Sequence, residues 1–343
     1  MSYSLLREAQ SRQKEGDFAM RLGRSDDPSA WFRRRRWIMG PVLAAALLAG
    51  CAVSPASTAT VPEIGQAVDA LTVPVPAEPA ASEPSAPATP DLRALRRQLR
   101  TYLADQEGTY GVFILDLTTG NSVGVNSDKL FPAASTFKLP MSLYILDQVA
   151  KGKASLYERI AYTPADYEDG TGTLQDWIEE GHELTVRELV ELAITQSDNI
   201  AAQMLLRRFG AENVYAYMQE QLGGRVTYFD ETTLGTTPRE MAAYMRLFQS
   251  GGTLNDAELK QFLLSALENT AFEDRTAAGV PDGVAVAHKI GTLPGVVNDV
   301  ALVEVPGHPF IISAFSLDVS EDVAPAVISE LTRRVYDFLT SHM

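Results

Sequence analysis

The segments that favour β-strands stand at the two ends of the globular part of this chain, with a long helical stretch between them. Two short runs, 111–117 and 122–125, flank the turn residues 118–121 and predict a β-hairpin. Strands return only near the C-terminus, in the runs 284–290, 296–305 and 310–317. Because hairpins favour antiparallel pairing, we expect strands from both ends to join one antiparallel sheet. The helical stretch, about residues 135–280, then forms a separate lobe.

This element order predicts an α/β fold of the α+β type with two lobes, in which helices flank the antiparallel sheet and the second lobe is all-helical. A helix is expected before the hairpin, where Leu92, Leu95, Leu99 and Leu103 share one face, and another over 321–341. A cleft between two such lobes is the usual place for a binding or catalytic site.

The first 51 residues have the layout of a secretory signal. Four arginines at 33–36 precede a short apolar run, 37–50, that ends in Leu48-Ala49-Gly50-Cys51. This ending resembles the lipobox of bacterial lipoproteins, in which cleavage after Gly50 exposes Cys51 for lipidation. The alternative is an uncleaved anchor helix, since about 20 apolar residues span a membrane and this run is near that limit. Met20 is an alternative start of the chain.

Residues 52–90 are rich in Pro, Ala, Ser and Thr, and they cannot bury enough apolar surface to fold. We interpret them as a disordered tether between the membrane and a globular domain over 91–343. The sequence therefore predicts an exported protein that is anchored to a membrane of the bacterial cell envelope.

Composition excludes several classes of function. The net charge of −15 argues against nucleic-acid binding, which needs a basic face. The single cysteine excludes an intrachain disulfide bond. The four histidines, at positions 182, 288, 308 and 342, lack the spacing of metal ligands, so a zinc hydrolase has no support. We expect a monomer that needs no metal or cofactor.

Ser135 and Lys138 stand at the start of an apolar helix and lie on the same helix face. A serine hydroxyl is a weak nucleophile unless a base takes its proton, and a desolvated lysine amine with a lowered pKa can do so. Backbone N–H groups at a helix start also stabilise the negative charge that develops there. The alternative is a capping serine followed by a surface lysine.

A second motif, Ser197-Asp198-Asn199, falls between two helices. All three residue types are preferred helix N-caps, which is the simplest explanation of the motif. The functional alternative is that Ser197 relays a proton between Lys138 and a leaving group, while Asn199 holds a substrate amide.

A third motif, His288-Lys289-Ile290-Gly291-Thr292, lies at the end of a strand. Lys289 is either an edge-strand lysine that opposes aggregation or a cation that holds a substrate carboxylate. In the second case Gly291 lets the backbone approach the substrate closely.

Together the three motifs resemble the S-x-x-K, S-D-N and K-T-G set of the penicillin-recognising serine hydrolases. The likeness is greatest to class A β-lactamases and their short-looped relatives, and it extends from about residue 91 to the C-terminus. The resemblance implies that Ser135 is acylated, that Lys138 is the base in acylation and that Ser197 shuttles a proton. By the same resemblance, Asn199 binds the acyl amide, and Lys289 and Thr292 hold the substrate carboxylate. It also implies an oxyanion hole from the N–H groups of Ser135 and Thr292, where one donor is worth about 3 kcal/mol.

Two departures from the family pattern concern function. Ile290 stands where the family has Thr or Ser, so a hydroxyl that helps bind the carboxylate is gone. The loop between Arg225 and Thr236 is short, although Glu231 echoes the glutamate that activates water for deacylation in class A enzymes. Gly235 replaces the asparagine that helps hold this water. The alternative for Glu231 is a solvated loop acid.

Three functions follow from these motifs. The first is a β-lactamase, which is acylated by a β-lactam and rapidly hydrolyses the acyl-enzyme. The second is a D,D-peptidase-like enzyme that acts on peptidoglycan stem peptides and is slowly inhibited by β-lactams. The third is a lipid-anchored, non-catalytic cell-wall binding module. We favour the first because the similarity is closest there, and only fast deacylation separates it from the second.

Overall fold

The computed structural model describes residues 91–225, 227–230 and 233–341. The segment 1–90, with Cys51, lies outside these residues, as does Glu231, so the signal, the lipid anchor, the tether and the deacylating acid stay predictions. Within the described ranges, no helix is both long and apolar enough to cross a bilayer.

A five-stranded antiparallel sheet joins strands from both ends of the chain, as the element order predicts. Its strands are β1 (Thr109–Asp116), β2 (Ser122–Val125), β8 (Ala285–Leu293), β9 (Val296–Glu304) and β10 (Phe310–Leu317). Their spatial order is β2-β1-β10-β9-β8, so that the C-terminal strand β10 lies in the centre. β8, which carries the third motif, is an edge strand of this sheet.

The two faces of the sheet pack against different layers. On one face, Val112 and Val297 lie in an apolar cluster with the terminal helices α1 (Leu92–Ala104) and α8 (Ala324–Thr340). On the other face, Ala287 and Val300 belong to the larger core that continues into the helical lobe. Because side chains alternate along a strand, Lys289 and Gly291 share the face of Ala287 and point toward that lobe. Ile290 and Thr292 belong to the opposite face.

The helical lobe is built from the middle of the chain, as expected. Its helices are α2 (Lys138–Ala150), α3 (Val186–Thr195), α4 (Asn199–Phe209), α5 (Ala211–Glu220), α6 (Pro238–Ser250) and α7 (Ala257–Glu268). Short strands that the sequence pattern did not predict also lie here. They are β3 (Phe131–Pro132), β4 (Arg159–Ala161), β5 (Glu183–Thr185), β6 (Thr227–Tyr228) and β7 (Leu234–Thr236). β3, β7 and β6 form one small sheet, and β4 pairs with β5.

Two helices begin at Thr-x-x-Glu sequences that predict capping boxes. The box at α3 is complete, because Thr185 and Glu188 each bond the other's backbone N–H. At α6 only half is present: the Thr237 side chain accepts from the backbone N–H of Glu240. The Glu240 carboxylate instead accepts from the Arg225 N–H and the Thr236 hydroxyl, which lie before the helix, and from the Tyr244 hydroxyl within it.

Candidate active site

Ser135 lies where strand β3 passes into helix α2. A single 3₁₀ turn, Ala134–Phe137, connects the two elements, and Ser135 is half-buried within it. Ala134 adopts a positive φ of 47°, which is uncommon for a residue with a Cβ and marks a sharply turned backbone. The side-chain amide of Asn298 donates to the Pro132 carbonyl at 2.9 Å and so attaches this turn to β9.

Lys138 is almost completely buried and is held at the second motif. Its Nζ donates to the backbone carbonyl of Ser197 at 2.6 Å and to Oδ1 of Asn199 at 2.8 Å. Burial lowers the pKa of this amine to about 7, and the charges of Glu168 and Asp198 only partly oppose that effect. A large share of Lys138 is therefore unprotonated at neutral pH, as a general base must be.

The second motif divides into one helix-capping residue, Asp198, and two residues that contact buried lysines. Asp198 is the N-cap of α4, since its Oδ1 accepts from the Ala201 N–H at 2.9 Å. Its Oδ2 accepts from the backbone N–H groups of Thr173 and Leu174, so Asp198 also fixes the loop in front of the helix. The capping explanation is thus correct for Asp198.

Ser197 and Asn199 flank that cap and meet the two lysines. Ser197 is buried with a φ of 53°, and its Oγ accepts from Nζ of Lys289 at 3.0 Å. The side-chain NH₂ of Asn199 donates to the Asp169 carbonyl at 2.8 Å while its oxygen accepts from Lys138. An amide nitrogen carries two hydrogens, so one of them is available for a further acceptor such as a substrate carbonyl.

Lys289 is not a solvated edge-strand lysine. It lies on the edge strand β8 but is only 1% exposed, and its Nζ also donates to the Ile290 carbonyl at 3.0 Å. Burial, together with the charge of Lys138, lowers the pKa of Lys289 well below its usual value. Two buried lysines therefore lie on either side of Ser197.

Gly291 lies directly against the turn that carries Ser135. A Cβ at this position would stand 3.0 Å from the Ala133 carbonyl oxygen and 3.1 Å from the Ser135 nitrogen. Contacts this short are tighter than nearly all real Cβ contacts. The absence of a side chain thus lets β8 approach the backbone N–H of Ser135, whereas the close approach of this backbone to a substrate stays a prediction.

Arg275 was missed by the sequence reasoning. Its guanidinium is buried and donates to the Thr292 hydroxyl at 2.7 Å and to the carbonyls of Gly291 and Asn298 at 3.2 and 2.7 Å. It therefore places a cation against Thr292, one of the two residues expected to bind a carboxylate. Arg275 stands outside any motif, and no local pattern around it indicates this position.

Ile290 is 1% exposed and packs on the same side of β8 as Thr292.

Glu231 is outside the described residues, but the structure describes the strands on either side of it. β6 pairs with β7, and β7 pairs with β3, which leads to Ser135. The Asp230 carboxylate accepts from the backbone N–H and the hydroxyl of Thr233 at 2.7 and 3.0 Å.

Comparison with known proteins agrees with this geometry. The family model for the β-lactamase enzyme family matches residues 94–339. The chain belongs to this family. Among its relatives, β-lactamase AST-1 of Nocardia asteroides is 31% identical over 337 residues, which cover 90% of this chain and 97% of that protein. A β-lactamase of Streptomyces albus G is 32% identical over 62% of this chain and 74% of that protein.

Solved structures give the same result. An acyl-enzyme complex of a PBP-A mutant with penicillin G superposes with a TM-score of 0.69 at 28% identity, covering 74% of this chain and all of that one. A variant of the ancestral class A β-lactamase of Gram-negative bacteria has a TM-score of 0.66 at 33% identity, over 73% of this chain. The predicted family and two-lobe fold are therefore confirmed.

Proposed function

We propose that this chain is a serine β-lactamase that hydrolyses the β-lactam amide through an acyl-enzyme on Ser135. The observation that carries the proposal is the hydrogen-bonded cluster of Lys138, Ser197, Asn199 and Lys289 beside the turn that holds Ser135. Its named relatives AST-1 and SME-1 are β-lactamases, which supports the same activity here.

Acylation needs one proton to move from the nucleophile to the leaving nitrogen. Unprotonated Lys138 takes the proton of the Ser135 hydroxyl while Oγ attacks the lactam carbonyl carbon. When the tetrahedral intermediate collapses, the C–N bond breaks and the ring nitrogen takes a proton from the Ser197 hydroxyl. Lys138 then returns its proton to Ser197, so that both groups regain their starting state. Lys289, 3.0 Å from the Ser197 Oγ, favours release of that proton.

Charge on the substrate is matched by donors around β8. The N–H groups of Ser135 and Thr292 serve as the oxyanion hole, and Gly291 lets the two segments approach closely enough. A substrate carboxylate that lies along the edge of the sheet is held by Lys289 and Thr292, whose side chains leave the edge strand β8 on opposite faces. Arg275 donates to the Thr292 hydroxyl at 2.7 Å.

We assign deacylation to Glu231, which activates a water molecule to attack the acyl carbonyl carbon. We expect Glu231→Gln to leave acylation nearly intact and to slow deacylation by about 10²–10⁴. Intact-protein mass spectrometry after mixing with penicillin would then show accumulated acyl-enzyme. If the Gln variant turns over at the wild-type rate, the base lies elsewhere, and Lys138 is the next candidate.

A D,D-peptidase-like enzyme is the second candidate, and the short segment 225–236 with its Gly235 favours it. The likeness to PBP-A, seen as a penicillin acyl-enzyme, also supports it. The test is to mix purified domain with a chromogenic cephalosporin, with Ser135→Ala as the control. Sustained turnover supports the β-lactamase, and a single burst supports the peptidase. No reaction in either protein supports the non-catalytic cell-wall module.

We also infer that the enzyme is a monomeric, exported lipoprotein. The arginines at 33–36, the apolar run 37–50 and Cys51 support lipidation, and the composition of 52–90 suits a tether that holds the domain away from the membrane. In this arrangement the catalytic domain lies on the outer side of the cytoplasmic membrane or in the periplasm.

A further inference from the structure

A loop of the helical lobe, residues 169–174, packs along the second motif and holds it by backbone contacts. Two carbonyls of the loop accept from Asn199, one from its backbone N–H at 3.0 Å and one from its side-chain NH₂ at 2.8 Å. Two backbone N–H groups of the loop donate to Oδ2 of Asp198 at 2.7 and 2.9 Å. The three sequence motifs do not include this loop, and only the structure places it beside the candidate site.

Two glycines let the loop come this close to the motif. Gly170 and Gly172 both have a φ of 119°, which a residue with a side chain rarely adopts. A Cβ on Gly172 would lie 2.6 Å from the Cα of Asp198. A Cβ on Gly170 would lie 3.0 Å from the side-chain nitrogen of Asn199. The residue between the two glycines, Thr171, is therefore held directly against the motif.

The hydroxyl of Thr171 reaches the two oxygens that hold the Lys138 amine. It donates to the Ser197 carbonyl oxygen at 2.7 Å and lies 3.4 Å from Oδ1 of Asn199. Nζ of Lys138 donates to the same two oxygens, at 2.6 and 2.8 Å. We propose that Thr171 is a positioning residue for acylation, which fixes these two oxygens and so orients the Lys138 amine. The inference rests on the proposed acylation of Ser135.

The orientation of the amine matters because an unprotonated lysine has two N–H groups and a single lone pair. When both N–H groups donate to the Ser197 and Asn199 oxygens, tetrahedral geometry directs the lone pair away from both of them. In the proposed acylation this lone pair accepts the proton of the Ser135 hydroxyl. Movement of either oxygen turns the lone pair, and a misplacement of about 1 Å can cost about 10²-fold in rate. Thr171 acts on the reaction only through these oxygens, so it positions the base and does not itself react.

The same contact affects the charge state of Lys138. Thr171 competes with Lys138 for the shared carbonyl oxygen, and an acceptor freed of that donor would bind the ammonium form more strongly. Loss of the Thr171 hydroxyl should therefore raise the pKa of Lys138 above its value of about 7. Charged groups near this amine are Glu168 and Asp198, which raise its pKa, and Lys289 of β8. A substitution of Thr171 changes none of these groups.

Four variants separate the hydroxyl of Thr171 from the general stability of the loop. Thr171→Val removes the hydroxyl and keeps a side chain of the same shape, whereas Thr171→Ser keeps the hydroxyl. Thr173→Val is the matched control, since Thr173 is an exposed residue of the same loop that contacts the motif through its backbone N–H. Thr171→Ala also removes the hydroxyl and takes the place of Thr171→Val if that variant does not fold.

The first measurement is the second-order rate at which a fluorescent penicillin labels the whole protein between pH 5 and pH 9. Thr171→Val should lower this rate at least about tenfold even at pH 9, where Lys138 is unprotonated. It should also move the midpoint of the pH profile upward by about half a unit. Thr171→Ser and Thr173→Val should stay within about threefold of wild type. Equal rates for Thr171→Val and Thr173→Val, or a loss that Thr171→Ser does not restore, would overturn the inference.

The second measurement is the pKa of Lys138, followed by NMR titration of the protein with ¹³C-labelled lysine and assigned with Lys138→Arg. This readout needs no acylation. The pKa should rise by about half a unit in Thr171→Val and keep its wild-type value in Thr171→Ser and Thr173→Val. If penicillin does not label the wild type, the proposed function fails, and a raised pKa in Thr171→Val alone still supports the role of Thr171. An unchanged pKa in Thr171→Val contradicts that role.

Discussion

At the scale of single residues, burial lowers the pKa of both lysines of the candidate site and so determines their chemistry. An exposed lysine would be protonated at neutral pH and could not accept the proton of Ser135. Because desolvation lowers the pKa of Lys138 to about 7, the unprotonated fraction grows as the pH rises through that value. The charge of Lys138 in turn contributes, after burial, to the lowered pKa of Lys289.

The first prediction concerns the pH dependence of acylation. The second-order acylation rate should rise with pH, with a midpoint near 7, because only unprotonated Lys138 takes the proton. The measurement is labelling by a fluorescent penicillin between pH 5 and pH 9. Lys138→Arg, which stays protonated over this range, should lose acylation at every pH. A wild-type profile that is flat across pH 7 would remove Lys138 as the base.

A second residue-scale prediction concerns Ile290. Ile290→Thr restores a hydroxyl on the side of β8 that also carries Thr292, and a hydrogen bond to a charged group is worth about 1.5–3 kcal/mol. Acylation by carboxylated β-lactams should therefore increase about tenfold, while replacing a buried side chain by a polar one lowers thermal stability. The measurement is the second-order acylation rate beside the melting temperature. No gain would mean that Thr292 with Arg275 already fills the role.

At the scale of elements, the decisive contact is between edge strand β8 and the turn before α2. Gly291→Ala adds a Cβ that would lie about 3 Å from the backbone of Ala133 and Ser135, so the two elements must separate. We expect acylation to fall about 10- to 100-fold, because the oxyanion donors sit on both elements. Gly252→Ala is the control, because the nearest atom to a Cβ added there is a Leu247 side-chain carbon, at 3.3 Å, and not a backbone atom. Equal acylation rates in the two variants would contradict this account.

At the scale of the whole molecule, the N-terminal segment predicts an enzyme that is tethered to a membrane, and the acidic composition of the chain agrees with export. Cys51→Ala should release or mislocalise the protein, because lipidation of Cys51 is the expected attachment. Fractionation of cells, with the N-terminus of the mature protein read by mass spectrometry, measures this. Unchanged membrane retention with the N-terminus at Met1 or Met20 would instead indicate an uncleaved anchor.

Much of the fold could be predicted because its signals are local. The short apolar runs of β1 and β10, and the helical spacing in α1 and α8, are patterns over a few neighbouring residues. The first and third motifs were likewise placed correctly at a helix start and on a strand. The short strands β3 and β7 were missed because two or three residues carry no periodicity.

The sequence by itself determined the residue types of the candidate site, their order along the chain and the element on which each lies. Only the tertiary structure decided the burial of Lys138 and Lys289 and the contact of Arg275 with Thr292. It also decided that the Glu240 carboxylate bonds Arg225 and Thr236 and leaves its capping box incomplete. The physical reason is that desolvation and hydrogen-bond competition depend on which distant segments meet. A carboxylate with several donors in reach bonds those that the packed chain presents, and a pattern of a few residues does not contain that information.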